Sequence, residues 1–197
     1  MNTVNRPDYA LKNLKGLTVA DKTKRMLNFV GARLNKANLA DAVLPNVSFA
    51  GASLINAELT NGVLKNTDFS NAKLDGADLD SAVLVHADLR GASMVGTVLR
   101  FVDFTAAQVD KNTRFDNADL TGATFDGINL SGGSFVGAKL VNASFEGCDL
   151  RNVDFCGANL KGANLRDANM EGAGLESAIL AHANLYGTNM NNTVCTE

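Results

Sequence analysis

Tryptophan is absent from this chain of 197 residues, and only two prolines, two histidines, two tyrosines and three cysteines are present. Each scarcity closes a class of function. Three cysteines without CxxC or Cys/His spacing suggest neither a structural zinc site nor a disulfide framework. Cys148 is expected to act as a small buried hydrophobe, Cys156 points outward beside a corner, and Cys195 lies near the end. His86 and His182 are too far apart in the repeat to assist each other. No apolar run approaches the roughly 20 residues of a membrane-spanning helix. The N-terminus lacks the apolar stretch of a secretory signal, so cytoplasmic residence is the expectation. No glycine-rich loop leads into a helix, so no phosphate cradle and no cofactor are expected.

What the chain has instead is a beat of five. Leu34, Leu39, Leu44, Phe49, Leu54, Leu59, Leu64 and Phe69 begin a series that runs to Val109, and a second series runs from Phe115 to Met190. These centre residues are twenty Leu, eight Phe, three Met and one Val. Two residues earlier the chain is small, with Ala in twenty-one of the units. Repeats of this kind decide the architecture before any helix or strand is assigned. Apolar residues at a centre and two before it alternate as in a strand for three residues, after which a corner resets the phase. A helix would need apolar neighbours three and four residues on, and a period of five drifts off that face.

Phenylalanine gives the number of sides. Phe29, Phe49 and Phe69 are twenty residues apart, as are Phe115, Phe135 and Phe155, and Phe125 and Phe145. Four units per turn would stack each set in a column, at the spacing of about 4.8 Å between strands. Phe104 and Phe125 are twenty-one apart, and the corner between them holds Asp110, Lys111 and Asn112 where two residues are usual. The expectation is an all-β, four-sided parallel β-helix of about eight turns, filled by its own side chains, with a one-residue bulge near 110–112. Residues 29–197 form the repeat domain. Residues 1–28 form a basic segment, in which Thr18-Val19-Ala20-Asp21 predicts a short capping helix from Val19 to Leu27, and Leu11, Leu14 and Leu17 need a surface to cover.

The runs Ala77-Asp78-Leu79, Ala118-Asp119-Leu120, Ala158-Asn159-Leu160 and Ala163-Asn164-Leu165 resemble the pentapeptide-repeat family. The resemblance covers about residues 27–195 and implies a right-handed quadrilateral β-helix. It also implies a non-enzymatic protein that presents flat faces to another protein. Several members resemble duplex DNA in width and charge and bind type II topoisomerases such as DNA gyrase, giving resistance to quinolone-type drugs; that is the alternative reading.

Charge and apolarity mark two candidate surfaces. Residues 1–33 carry net +5 and residues 34–197 net −8. Glu58, Asp78, Asp80 and Asp119 make a candidate acidic face; carboxylates also recur at Asp68, Asp88, Asp103 and Asp149. Paired carboxylates on an open convex face are screened by water, so catalysis is not expected. Val43, Val63 and Val83 precede centres at twenty-residue spacing where polar residues are usual, with Pro45 and Val85 on the same side. An exposed apolar stripe usually marks an interaction site, so these five residues are the candidate protein-binding site. The partner is another protein, or a second copy joined through the C-terminal end; direct nucleic-acid or membrane contact is not expected.

Overall fold

The computed structural model describes residues 8, 12–18 and 28–194. Among them there is no helix and no continuous strand; a five-residue unit typically contributes one parallel bridge to the turn above and one to the turn below. The unit is too short for more, because three residues of extended chain already bring the chain to its next corner. Four ladders result. One, the valine face, runs Thr18, Val43, Val63, Val83, Asp103, Thr124, Ser144, Asn164, Asn184. The acidic face runs Asn13, Asn38, Glu58, Asp78, Val98, Asp119, Lys139, Asn159, Ile179. The serine face runs from Asp8 and Arg33 through Ser53, Lys73, Ser93, Arg114 and Ser134 to Val194. The fourth joins Asn28, Ser48, Asp68, Asp88 and Gln108, stops, and resumes from Asn129 to Asn189; it is called the split face below.

Corners follow from local chemistry. Most centre carbonyls accept a hydrogen bond from the N–H three residues on, as from Ala37 to Leu34 at 3.0 Å and from Ala77 to Leu74 at 2.9 Å. The second corner residue takes a positive φ, which asparagine and glycine adopt at least cost. Asn46, Asn56, Asn61, Asn66 and Asn71 do so at 54–62°. Pro45 precedes Asn46 at the position where a fixed φ near −65° suits such a turn. At the bulge none of Asp110, Lys111 and Asn112 has a positive φ, so this corner turns by a different path.

The inside is a column of leucine and stacked rings. Phe29, Phe49 and Phe69 stack at 4.9 and 5.1 Å, and Phe115, Phe135 and Phe155 at 4.9 and 5.3 Å. Phe104 lies 4.5 Å from Phe125 with planes 5° apart, which confirms that the extra corner residue is absorbed without breaking the column. Adjacent columns meet edge to face, as Phe104 and Phe115 do at 5.7 Å and 84°. Where the slot two before the centre is not alanine, a donor often uses it. The hydroxyls of Thr67, Thr97 and Thr113 donate to the carbonyls of Leu44, Leu74 and Leu89 at 3.3, 2.9 and 3.0 Å. The Cys148 thiol donates to Phe125 O at 2.9 Å, and burial pushes it up to about 12, so it is an inert filler as the sequence suggests.

The N-terminal segment departs from expectation. Asp8, Asn13 and Thr18 bridge Arg33, Asn38 and Val43, so they add three sides of a further turn at the end of the tube. Leu14 and Leu17 pack on the core from that turn. The physical reason is edge pairing: the first repeat turn leaves backbone groups open, and Val43 N–H donates to Leu17 O at 2.8 Å. The helix expected from Val19 to Leu27, and Leu11, lie outside the described residues. At the other end Ile179, Leu185, Tyr186 and Val194 are exposed.

Candidate functional site

Val43, Val63 and Val83 are brought together as consecutive rungs of the valine face, each half-buried and facing outward. Pro45 and Val85 stand on the neighbouring corner in one column, but Lys65 separates them: Asn46 N–H bonds to Lys65 O and Asn66 N–H to Val85 O, both at 3.0 Å. The apolar stripe is therefore three valines long, and Lys65 divides the two apolar corner residues beside it. Residues 12–18 continue the ladders axially and do not lie across it. Below Val83 the face turns polar with Asp103 and Thr124. Near that boundary Phe101 projects from the corner shared with the acidic face, exposed and at φ 57°. Its ring lies over Gly122, where a Cβ would come within 2.7 Å of it. A phenylalanine in the left-handed region is costly, and the bare backbone of Gly122 is what gives its ring a seat.

Glu58 and Asp78 are adjacent rungs of one ladder, as are Asp68 and Asp88. The acidic face is less bare than its composition implies. Asp80 meets Arg100 at 2.8 Å and Asp119 meets Lys139 at 3.1 Å, each pair reaching across one turn. Arg90 and Arg151 chelate Asp88 and Asp149 two residues away. The Arg90 guanidinium holds the Asp88 carboxyl below its ordinary value against partial burial, and Arg151 does the same for Asp149. At Asp119 burial works the other way, but bonds from Thr121 and Lys139 outweigh it. At Asp110 burial is likewise outweighed, by the N–H groups of Gly91 and Asn112, the Asn112 amide and the Thr113 hydroxyl.

Carboxylates lowered in the fold give stability that is present above their unfolded value of 3.8 and lost as pH falls through the lower folded values. The melting temperature should therefore hold from neutral pH to about 4 and decline below it. A thermal-melt series in constant salt checks this; a decline already beginning near pH 6 would implicate other groups.

Among the described residues no group of three His, Cys, Asp or Glu could hold a metal ion, and no helix is long and apolar enough to cross a membrane. His86 and His182 sit at corners with φ of 60° and 62°. Cys156 is half-buried, its N–H bonded to Asp154, and Cys195 lies outside the described residues.

Sequence reasoning did not foresee the break in the split face. Gln108 and Asn129 occupy adjacent turns but do not bridge, and hollows of about 370 and 270 Å³ open on either side of Val109. Two residue choices signalled it: Val109 is the one valine among the centres, and Ile128 the one isoleucine in the small-residue slot.

HetL, a pentapeptide repeat protein involved in heterocyst differentiation regulation from the cyanobacterium Nostoc, superimposes with a TM-score of 0.58 at 23% identity, over 97% of this chain and 92% of its own. QnrB1, a plasmid-mediated fluoroquinolone resistance protein, gives 0.45 at 20% identity, over 87% of this chain and 90% of its own. The likeness to HetL is one of fold, and implies the right-handed sense of the β-helix. No curated protein sequence matches the chain. The family model for pentapeptide repeats matches in eight copies, with its segments running from residues 28–66 to 158–194. With its period, four ladders and stacked columns, the chain belongs to the pentapeptide-repeat family.

Proposed function

We propose that this protein is a non-enzymatic binding scaffold whose valine face docks another protein. The observation that carries the reading is the unbroken column Val43–Val63–Val83, placed where the repeat mostly presents polar residues; Val98 and Ile179 stand singly on another face. A rigid rod suits this task because its faces are held by main-chain ladders and ordered before the partner arrives, so binding costs little ordering entropy. Three half-buried valines present a shallow apolar strip, and Lys65 on its edge supplies a charge that fixes orientation more than affinity.

The test compares the intact protein with its Val63→Asp variant as bait in lysate of the source cells. Loss of one specific protein from the variant's capture, with the melting curve unchanged, is the expected result. Equal capture by both baits overturns the assignment of the valine face. The second reading, a DNA mimic acting on a topoisomerase, draws on Glu58 and Asp78, which have no cation partner among the described residues. It predicts topoisomerase subunits in both captures, displaced by duplex DNA and by raised salt. Recovery of the chain's own copies alone would favour self-pairing through the last turn, where Leu185, Tyr186 and Val194 are exposed.

A further inference from the structure

The break in the split face is local and complete. At the same level the other ladders run on, through Ser93–Arg114, Val98–Asp119 and Asp103–Thr124. On either side of it the split face is paired normally: Leu89 N–H donates to Gln108 O and Leu130 N–H to Asp149 O, both at 2.8 Å. Between the two turns nothing pairs. The N–H groups of Val109 and Asn129 donate to no group, and the carbonyls of Ala107 and Asn129 accept from none, among the described residues. Gln108 and Asn129 are exposed and Val109 is half-buried, so these main-chain groups form a β edge open to another chain.

Three features of the chain coincide with the gap. Val109 is the one centre between Leu34 and Leu175 that is not buried. The corner after it has three residues, and Asp110 spends its carboxylate on Gly91 N–H at 2.9 Å, which fixes that corner to the turn behind rather than the turn ahead. On the far bank Ile128 fills a slot that alanine usually takes. Ala107, Val109 and Ile128 give the hollow an apolar floor, while Arg90, Gln108, Asp126 and Asn129 also line it. The hollow continues past Val109 to Lys111 and Ser131, so the groove spans the whole side. Lys111 makes no ion pair among the described residues.

We propose that this groove binds an extended peptide segment of a partner protein by strand addition, separately from the valine face. Open donors and acceptors along a β edge are a template for another chain, and strand addition draws its affinity from main-chain bonds, with alternate side chains giving preference. The apolar floor takes the side chains that point inward. Lys111 at one end favours an acidic residue in the segment that reaches it.

The probe is a blocked pentapeptide of alternating threonine and valine that ends in glutamate, with a glutamine-ended twin. Amide hydrogen exchange is read residue by residue on the full chain. In the free protein the Val109 and Asn129 amides should exchange faster than those of Leu89 and Leu130, and slow by about tenfold or more when the peptide is saturating. The twin should bind more weakly, by roughly 1.5-fold to fivefold for one lost surface charge pair. Deletion of Asn112 restores a two-residue corner; it should close the ladder, protect both amides without peptide, and abolish the peptide effect. Protection of both amides in the free native protein overturns the proposal. So does a millimolar peptide that leaves them unchanged, since main-chain pairing does not depend on a particular side-chain sequence. Equal binding of the two peptides removes the role of Lys111. Should the deletion variant fail to fold, the exchange measurement on the native chain decides by itself.

Discussion

Phe135→Ala should lower the stability of the protein by about 3–5 kcal/mol, the cost of emptying a packed aromatic site. Phe135 is fully buried and has four ring partners. It stacks on Phe115 at 4.9 Å and Phe155 at 5.3 Å, and meets Phe125 and Phe145 edge to face at 5.8 and 5.9 Å. The walls cannot close on the cavity, because each turn is pinned by ladders to the turns on either side. Since a solenoid is stabilised turn by turn, the second half of the tube should melt first, in a broadened or split transition followed by calorimetry. Val63→Asp is the control, because its side chain points outward and its loss leaves no hole. A single sharp transition with an unchanged midpoint for Phe135→Ala would contradict the packing described.

Gly76→Val should be the next most damaging change, at about 1–3 kcal/mol for backbone forced into a sparsely populated region, more because the residue is β-branched. Gly76 has a φ of 66°, and a Cβ there would lie 2.3 Å from Asn56 Oδ1 on the turn before. Two costs therefore coincide, the strain of the corner and the displacement of a neighbour that overhangs it. Asn61, at φ 57°, gives the comparison: Asn61→Ala pays the corner cost without the overlap and should fall about 1 kcal/mol short of full wild-type stability. Chemical denaturation of the three proteins measures both. Gly76→Val as stable as wild type would mean that the corner can change its turn type freely.

These expectations differ in how far the sequence foretold them. The ring columns were legible because an inward position accepts few residue types, so each turn repeats the same choice twenty residues on. The register shift at the bulge was legible for the same reason: Phe104 finds Phe125 only if one of Asp110, Lys111 and Asn112 is surplus. The additional N-terminal turn was not read, although Leu14 keeps the beat with Phe29 and Leu34. Lys24 interrupts the series, and ten residues instead of five separate Thr18 and Asn28, which are rungs of neighbouring sides, so the period looks lost.

Outward residues behave differently. Alignment of Val43 with Val63 and Val83 followed from spacing, but the pairing of Asp80 with Arg100 and of Asp119 with Lys139 did not. Long side chains can reach along the chain or across turns, and Arg90 takes the first course while Arg100 takes the second. Composition alone therefore overstated how bare the acidic face is.

The sequence by itself determined the four-sided tube, the facing of every centre and the place of the bulge, because the tube's narrow interior admits one arrangement of a five-residue beat. Only the tertiary structure decided that the split face opens between Gln108 and Asn129 while three ladders close, and which carboxylates keep their charge uncovered. Ladder closure depends on the balance of turns above and below a rung, and ion pairing on which neighbour a side chain reaches; neither is a property of any one unit.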